Sequence, residues 1–209
     1  MSKVARIVAA GMAALATPAL AATLTDMRPI VLKPGVNALP ALAPDGRDGL
    51  IVQGSHQGSP SADGSSVQFL VLLRQGEGWE TVDAQAVPSG SSDLDFGGAL
   101  IQASPHAGED WKRAVAFARA KVDGAPAFVM LVADRDMRRV QTVYDPVPVD
   151  ILTYRLQKDP GWDQDHFVLA DRKRTPRCYV NAWLALKDMT GFPLPTFYDG
   201  DGAASPCPK

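Results

Sequence analysis

The 209-residue chain has only two cysteines and three histidines, and both scarcities narrow its chemistry. His56, His106 and His166 stand alone, with no His-x-His or His-Glu-x-x-His pair to set two metal ligands side by side. Cys178 and Cys207 are too far apart for a Cys-x-x-Cys redox motif, and two thiols alone make no zinc site. Neither Ser-x-x-Lys nor Gly-x-Ser-x-Gly occurs, so the familiar serine nucleophiles have no foothold. No glycine cluster opens a helix after a strand, which removes the dinucleotide and phosphate loops. Short acidic groups stand at Asp45-Gly46-Arg47-Asp48, Asp93-Leu94-Asp95 and Asp199-Gly200-Asp201. None completes a calcium loop ending in a bidentate glutamate, and Asp with Gly is ordinary turn chemistry. The sequence therefore predicts no catalytic set, no metal site and no cofactor.

Basic charge is not in excess either. Twenty-one Lys and Arg face 23 Asp and Glu, and the densest basic cluster, Arg172-Lys173-Arg174, reads as a solvated strand end. Nucleic acid is excluded as a partner. At the N-terminus, Lys3 and Arg6 precede an apolar run, Ile7 to Ala16, which Pro18 breaks before Ala19-Leu20-Ala21. The run is about half the roughly 20 residues of a spanning helix. Residues 1–21 are a secretory signal peptide by this layout, with cleavage after Ala21. Residues 22–209 then form one soluble periplasmic domain without a membrane span. Its net charge moves from −2 to −4, because Lys3 and Arg6 leave and no acidic residue does.

In an oxidising compartment the two cysteines predict a Cys178–Cys207 disulfide. It closes a loop of about 30 residues, worth roughly 3–4 kcal/mol in the chain-entropy picture. The bond would staple a Pro-rich tail, about residues 192–209, to the domain.

The rest reads mainly as strands. A short one is expected at Ile30 to Leu32, and another at Leu50-Ile51-Val52 before a loop from Gly54 to Ser66. Val67, Phe69, Val71 and Leu73 share one face of a strand whose other face is also apolar, which suits a central position. Gln75-Gly76-Glu77-Gly78 turns it back into Trp79 to Val82. Ala114 to Val122 and Pro126 to Ala133 flank Asp123-Gly124, a tight-turn dipeptide. The first arm has Val115 and Phe117 on one face and alanines on the other, so something such as a helix packs close. Val147 to Leu156 and Phe167 to Ala170 add two strands. Asp83 to Gly98 and Ser104 to Asp110 read as long loops. One helix is expected over Ala182 to Met189, capped by Asn181 and stopped by Gly191.

Two stretches resemble the proteobacterial family of carbapenem self-resistance proteins of the CarG type. The first is Leu32-Lys33-Pro34-Gly35-Val36-Asn37, followed by Asp45-Gly46-Arg47-Asp48-Gly49-Leu50-Ile51-Val52. Between them Ala41-Leu42-Ala43 stands where the family carries Asp and Asn. The second runs from Tyr144-Asp145-Pro146-Val147-Pro148-Val149 through Thr153-Tyr154-Arg155-Leu156, Pro160-Gly161-Trp162 and Phe167. It ends in Thr175-Pro176-Arg177-Cys178-Tyr179-Val180-Asn181-Ala182, with Tyr179 at a position the family fills with an acidic residue. The resemblance implies a periplasmic protein that helps a cell tolerate a carbapenem without being a β-lactamase.

The expected architecture is a single antiparallel β-rich domain, a twisted sheet or sandwich, with one C-terminal helix held by the disulfide. The expected role is non-enzymatic binding or protection, by sequestering a β-lactam or shielding an envelope protein. Asp45, Asp48 and His56 are the candidate ligand contacts. Two alternatives stand beside it: an envelope structural or interaction module, and a hydrolase with His56, His106 or His166 as base. Oligomeric state is not legible.

Overall fold

The computed structural model describes residues 22–57, 65–87, 96–98, 100–103, 112–139, 142, 144–158, 164–195 and 204–207. The leader with Ala21, and His106, lie outside them. Two sheets face one another. The larger has seven strands in the order β1-β9-β10-β11-β12-β6-β7, and the smaller has β2-β3-β4-β5, with β8 also paired to β4. Every neighbouring pair is antiparallel except β12 and β6. The domain is thus the expected β-rich one, built as a sandwich.

The strands are β1 (Leu24–Ile30), β2 (Gly35–Leu39), β3 (Gly49–Gln57), β4 (Ser65–Gln75), β5 (Gly78–Thr81), β6 (Asp83–Val87), β7 (Phe96–Gly98) and β8 (Leu100–Ala103). They continue with β9 (Arg113–Val122), β10 (Ala125–Arg135), β11 (Val147–Lys158) and β12 (Asp165–Tyr179), and one helix follows, α1 (Ala182–Thr190). The local signals hold well. Asp123 and Gly124 both take positive φ, 51° and 81°, as a two-residue turn between right-twisted strands demands. The Asn181 side chain accepts a bond from the Trp183 amide, and Gly191 ends α1 at φ 73°.

Several expectations need correction. The first strand runs over Leu24–Ile30 instead of starting at Ile30, because Thr23 and Asp123 exchange hydrogen bonds that tie the N-terminal segment to the β9–β10 turn. The Gly54 to Ser66 loop is shorter than expected: Gly54 to Gln57 belong to β3, and Ser65 and Ser66 to β4. His56 is therefore a strand residue, paired with Ser66. Likewise β6 and β7 occupy part of the span from Asp83 to Gly98. Arg172-Lys173-Arg174 is not a strand end, since β12 continues five residues past it to Tyr179.

Between the sheets lies the core. Val67, Phe69, Val71 and Leu73 are buried on one face of β4, while Leu70 and Leu72 are half-buried on the other. Phe69 meets Phe117 edge-on at 5.4 Å, Phe117 stacks on Phe128 at 5.8 Å, and Phe128 touches Phe167 at 5.8 Å. Because the phenylalanine face of β9 meets the smaller sheet, its alanine face is left for α1, which contacts β9 and β10. Ala114 and Ala118 there are fully buried.

Leu42 and Ala43, in the segment where the family pattern is polar, are buried as an apolar plug. A Cβ at Gly49 would overlap the Leu42 side chain and sit 2.9 Å from the Leu72 carbonyl oxygen. Gly49→Ala should therefore lower stability by about 1–3 kcal/mol in denaturant titrations. Gly54→Ala, whose Cβ meets nothing within 4 Å, should stay within about 0.5 kcal/mol.

Candidate functional site

Asp45 and Asp48 belong to the turn that delivers β3. The Asp45 carboxylate accepts from the Arg47 amide at 3.1 Å and from its Nε at 2.6 Å, and Asp48 accepts from the Ala41 amide at 3.0 Å. Burial would raise the Asp45 carboxyl, but the amide and guanidinium of Arg47 together lower it. Arg47 also reaches the buried Asp165 at the start of β12 and the Gln75 side chain at 3.3 Å. The acidic pair thus braces a turn that clamps the two sheets. His56 lies seven residues up β3 from Gly49, about 23 Å away at strand rise, so the structure does not bring the three together. His166 sits on β12 of the other sheet, paired with Gln157 and Asp83. Among the described residues no group of three or more His, Cys, Asp or Glu is placed to hold a metal ion.

A cavity of about 250 Å³ opens where β1 ends. Ile30 is the last β1 residue paired to β9, opposite Phe117. Val115 and Ala116 continue past it with no partner strand on that side among the described residues. The chain leaves through Val31 and Leu32, and the gap is walled by Trp183 and Leu186 of α1 and by Phe192 to Pro195. Phe69 and Phe117 reach it from the two sheets. Apart from the Trp183 indole, polar side chains among the described lining residues come only from Gln53 and Lys187. Gln53 is buried on β3, and Lys187 is exposed one helical turn beyond Trp183. Sequence reasoning missed this site because six separate segments build it; the faintest signal was the Phe192-Pro193-Leu194-Pro195 run just past the helix stop.

The outer wall depends on the tail. Cys178 and Cys207 are bonded, with Cα atoms 4.9 Å apart at a sequence separation of 29. Cys178 and Ser205 also exchange main-chain hydrogen bonds of 3.0 and 2.9 Å, and Arg177 donates to the Ala204 carbonyl at 2.7 Å. Both α1 and Phe192 to Pro195 fall inside the loop this closes, so the disulfide limits how far the wall can move.

A second polar feature, also missed, lies on the inner face of the larger sheet. Arg113 pairs with Asp134, both buried. Asp150 accepts from Arg172 and from Arg174 Nε at 2.9 Å, and Asp136 accepts from Arg174 at 2.8 Å and from Arg138 at 2.8 and 2.9 Å. The carboxylates are buried while Arg138, Arg172 and Arg174 are half-exposed. Arg138 first, then Arg174 against the opposing pull of burial, holds the Asp136 carboxyl down at about 2. Burial alone would raise Asp150, yet Arg174 and Arg172 lower it. Tyr154 nearby is pushed up to about 12 by burial and keeps its proton at neutral pH.

Both aspartates are charged when folded and titrate near 4 when unfolded. Their contribution is therefore present above about pH 4 and lost as pH falls through their folded values. Asp136→Asn should reduce stability at pH 7 by about 1–2 kcal/mol, after allowing for solvent screening of the half-exposed arginines. It should also flatten the acid loss between about pH 4 and 2. Denaturant titrations at stepped pH measure both effects.

No family model matches the sequence, and no curated protein matches it. Among solved structures, the crystal structure of CarG matches with a TM-score of 0.57 at 14% sequence identity, over 77% of this chain and 94% of that one. A likeness at that identity speaks for architecture, and it agrees with the motifs around Asn37 and Asn181. The chain has a CarG-like fold.

Proposed function

We propose that this protein is an exported, non-enzymatic binding protein of the cell envelope, which protects the cell by taking a β-lactam into the cavity beside α1. The observation that carries the reading is the cavity itself, apolar on most sides and opening at the edge of the sandwich. Its volume of about 250 Å³ exceeds the roughly 150 Å³ that accepts benzene and falls just short of typical drug-sized pockets. A compact bicyclic ring system fits that range. Among the described residues the lining carries no serine, cysteine, histidine or carboxylate, which favours sequestration over turnover. The leader layout and the closed disulfide support export to a periplasmic compartment. The CarG-like fold supports the carbapenem connection.

A second reading has its own observation. Val36 is 67% exposed on β2, an outer strand of the smaller sheet, and Val31 is 71% exposed beside the cavity. An exposed valine on an outer strand and a second beside the cavity favour contact with an envelope protein.

Calorimetric titration of a carbapenem into the oxidised mature chain separates the possibilities. A saturating isotherm is the expected result. Sustained heat flow would mean turnover and contradict the non-enzymatic reading. Silence at millimolar drug would remove the β-lactam and leave the envelope contact.

A further inference from the structure

We infer that the cavity beside α1 selects small molecules that join an apolar body to a single carboxylate, with Lys187 meeting the carboxylate at the mouth. The inference rests on reading that cavity as a ligand site, and it names the class of ligand.

Charge in the lining is one-sided. Among the described lining residues Lys187 is the lone formal charge, and none carries a carboxylate. Elsewhere in the described structure many cations have an acidic partner, among them Arg47, Arg113 and Arg174, while Arg119 and Arg177 are held by carbonyl oxygens and Arg74 lies over the Trp79 ring. Asp188, next in sequence to Lys187, instead accepts a bond from the Tyr179 hydroxyl at 3.0 Å. The ammonium of Lys187 stands four residues beyond Trp183 on the same side of α1, so it emerges beside the wall Trp183 forms.

These features rank ligands by charge. A neutral apolar molecule gains only burial against Phe69 and Phe117. A cation gains the same burial and meets a like charge. A monoanion gains burial and an ion pair that Lys187 makes with nothing else among the described residues. The volume excludes long acyl chains and admits a ring of six to ten heavy atoms, at the scale of the benzene-sized comparison. A bicyclic β-lactam acid and a simple cycloalkyl acid share this chemistry.

The test compares cyclohexanecarboxylate, cyclohexylmethanol, cyclohexylmethylamine and a carbapenem, titrated into the oxidised protein and into Lys187→Met. Lys187 is exposed, so the substitution leaves the core untouched. The carboxylate should bind about fivefold more tightly than the alcohol, the scale of one exposed ion pair. The amine should be weakest, and the gap should close in high salt. Lys187→Met should abolish the gap and leave the alcohol within about twofold. Equal binding of carboxylate and alcohol, a gap that survives Lys187→Met, or no binding by any probe would overturn the inference. If cyclohexanecarboxylate shows the Lys187-dependent gap and the carbapenem does not bind, the β-lactam reading falls while this one stands. Carbapenem binding that Lys187→Met leaves unchanged has the opposite meaning.

Discussion

Four phenylalanine rings, one from the smaller sheet and three from the larger, hold the two layers together, and the rest of the molecule is arranged around them. Phe69 reaches across to Phe117, which continues through Phe128 to Phe167 on strands β9, β10 and β12. All four are buried, and truncating a phenylalanine in such a setting costs about 3–5 kcal/mol. Because the large side chains of β9 face inward, its outward positions are alanines. That asymmetry lets α1 lie close against the back of the sheet. The string also fixes the cavity: β1 stops pairing opposite Phe117, and among the described residues no strand continues along β9 to fill the space beyond.

Away from the rings the inner face changes character. Two register steps from the Phe117–Met130 pair, through Val115 and Val132, the cross-strand partners become Arg113 and Asp134. Asp150, Arg172 and Arg174 follow on β11 and β12. A sandwich end cannot stay apolar where solvent enters, and buried carboxylates survive there because each is matched to guanidinium groups. Tyr154 keeps its proton at neutral pH, and the guanidinium groups hold the Asp136 and Asp150 carboxyls below the ordinary carboxylate range. These paired charges make a polar end to the sandwich, and the apolar cavity is the better candidate for binding.

Sequence and structure agree where the determinants are local. Asp123-Gly124, the Gly76-containing turn, the Asn181 cap and the Gly191 stop each act within a few residues, so their identities suffice. The Cys178–Cys207 bond was legible from compartment and count. Other features depend on partners far along the chain. β1 carries Asp26, Arg28 and Pro29 and no clean alternation, and it becomes a strand because β9 offers an edge. β12 carries three consecutive cations in mid-strand because Asp136 and Asp150 neutralise two of them. Asp45 and Asp48 were legible as turn residues, and their bonds to Arg47 and the Ala41 amide bear that out. The cavity was illegible for the same reason as β1: its lining is assembled from six segments, none of them unusual alone.

An accessible apolar space lies between the edge of the sandwich and the disulfide-held segment. Xenon reports such a space without any assumption about ligand chemistry, since it enters dry cavities of benzene size. A crystal of the oxidised protein under xenon pressure should show a xenon atom between Phe69, Phe117 and Trp183, with the four-ring contact unchanged. Density filled by repacked side chains, or xenon bound everywhere except there, would contradict the account.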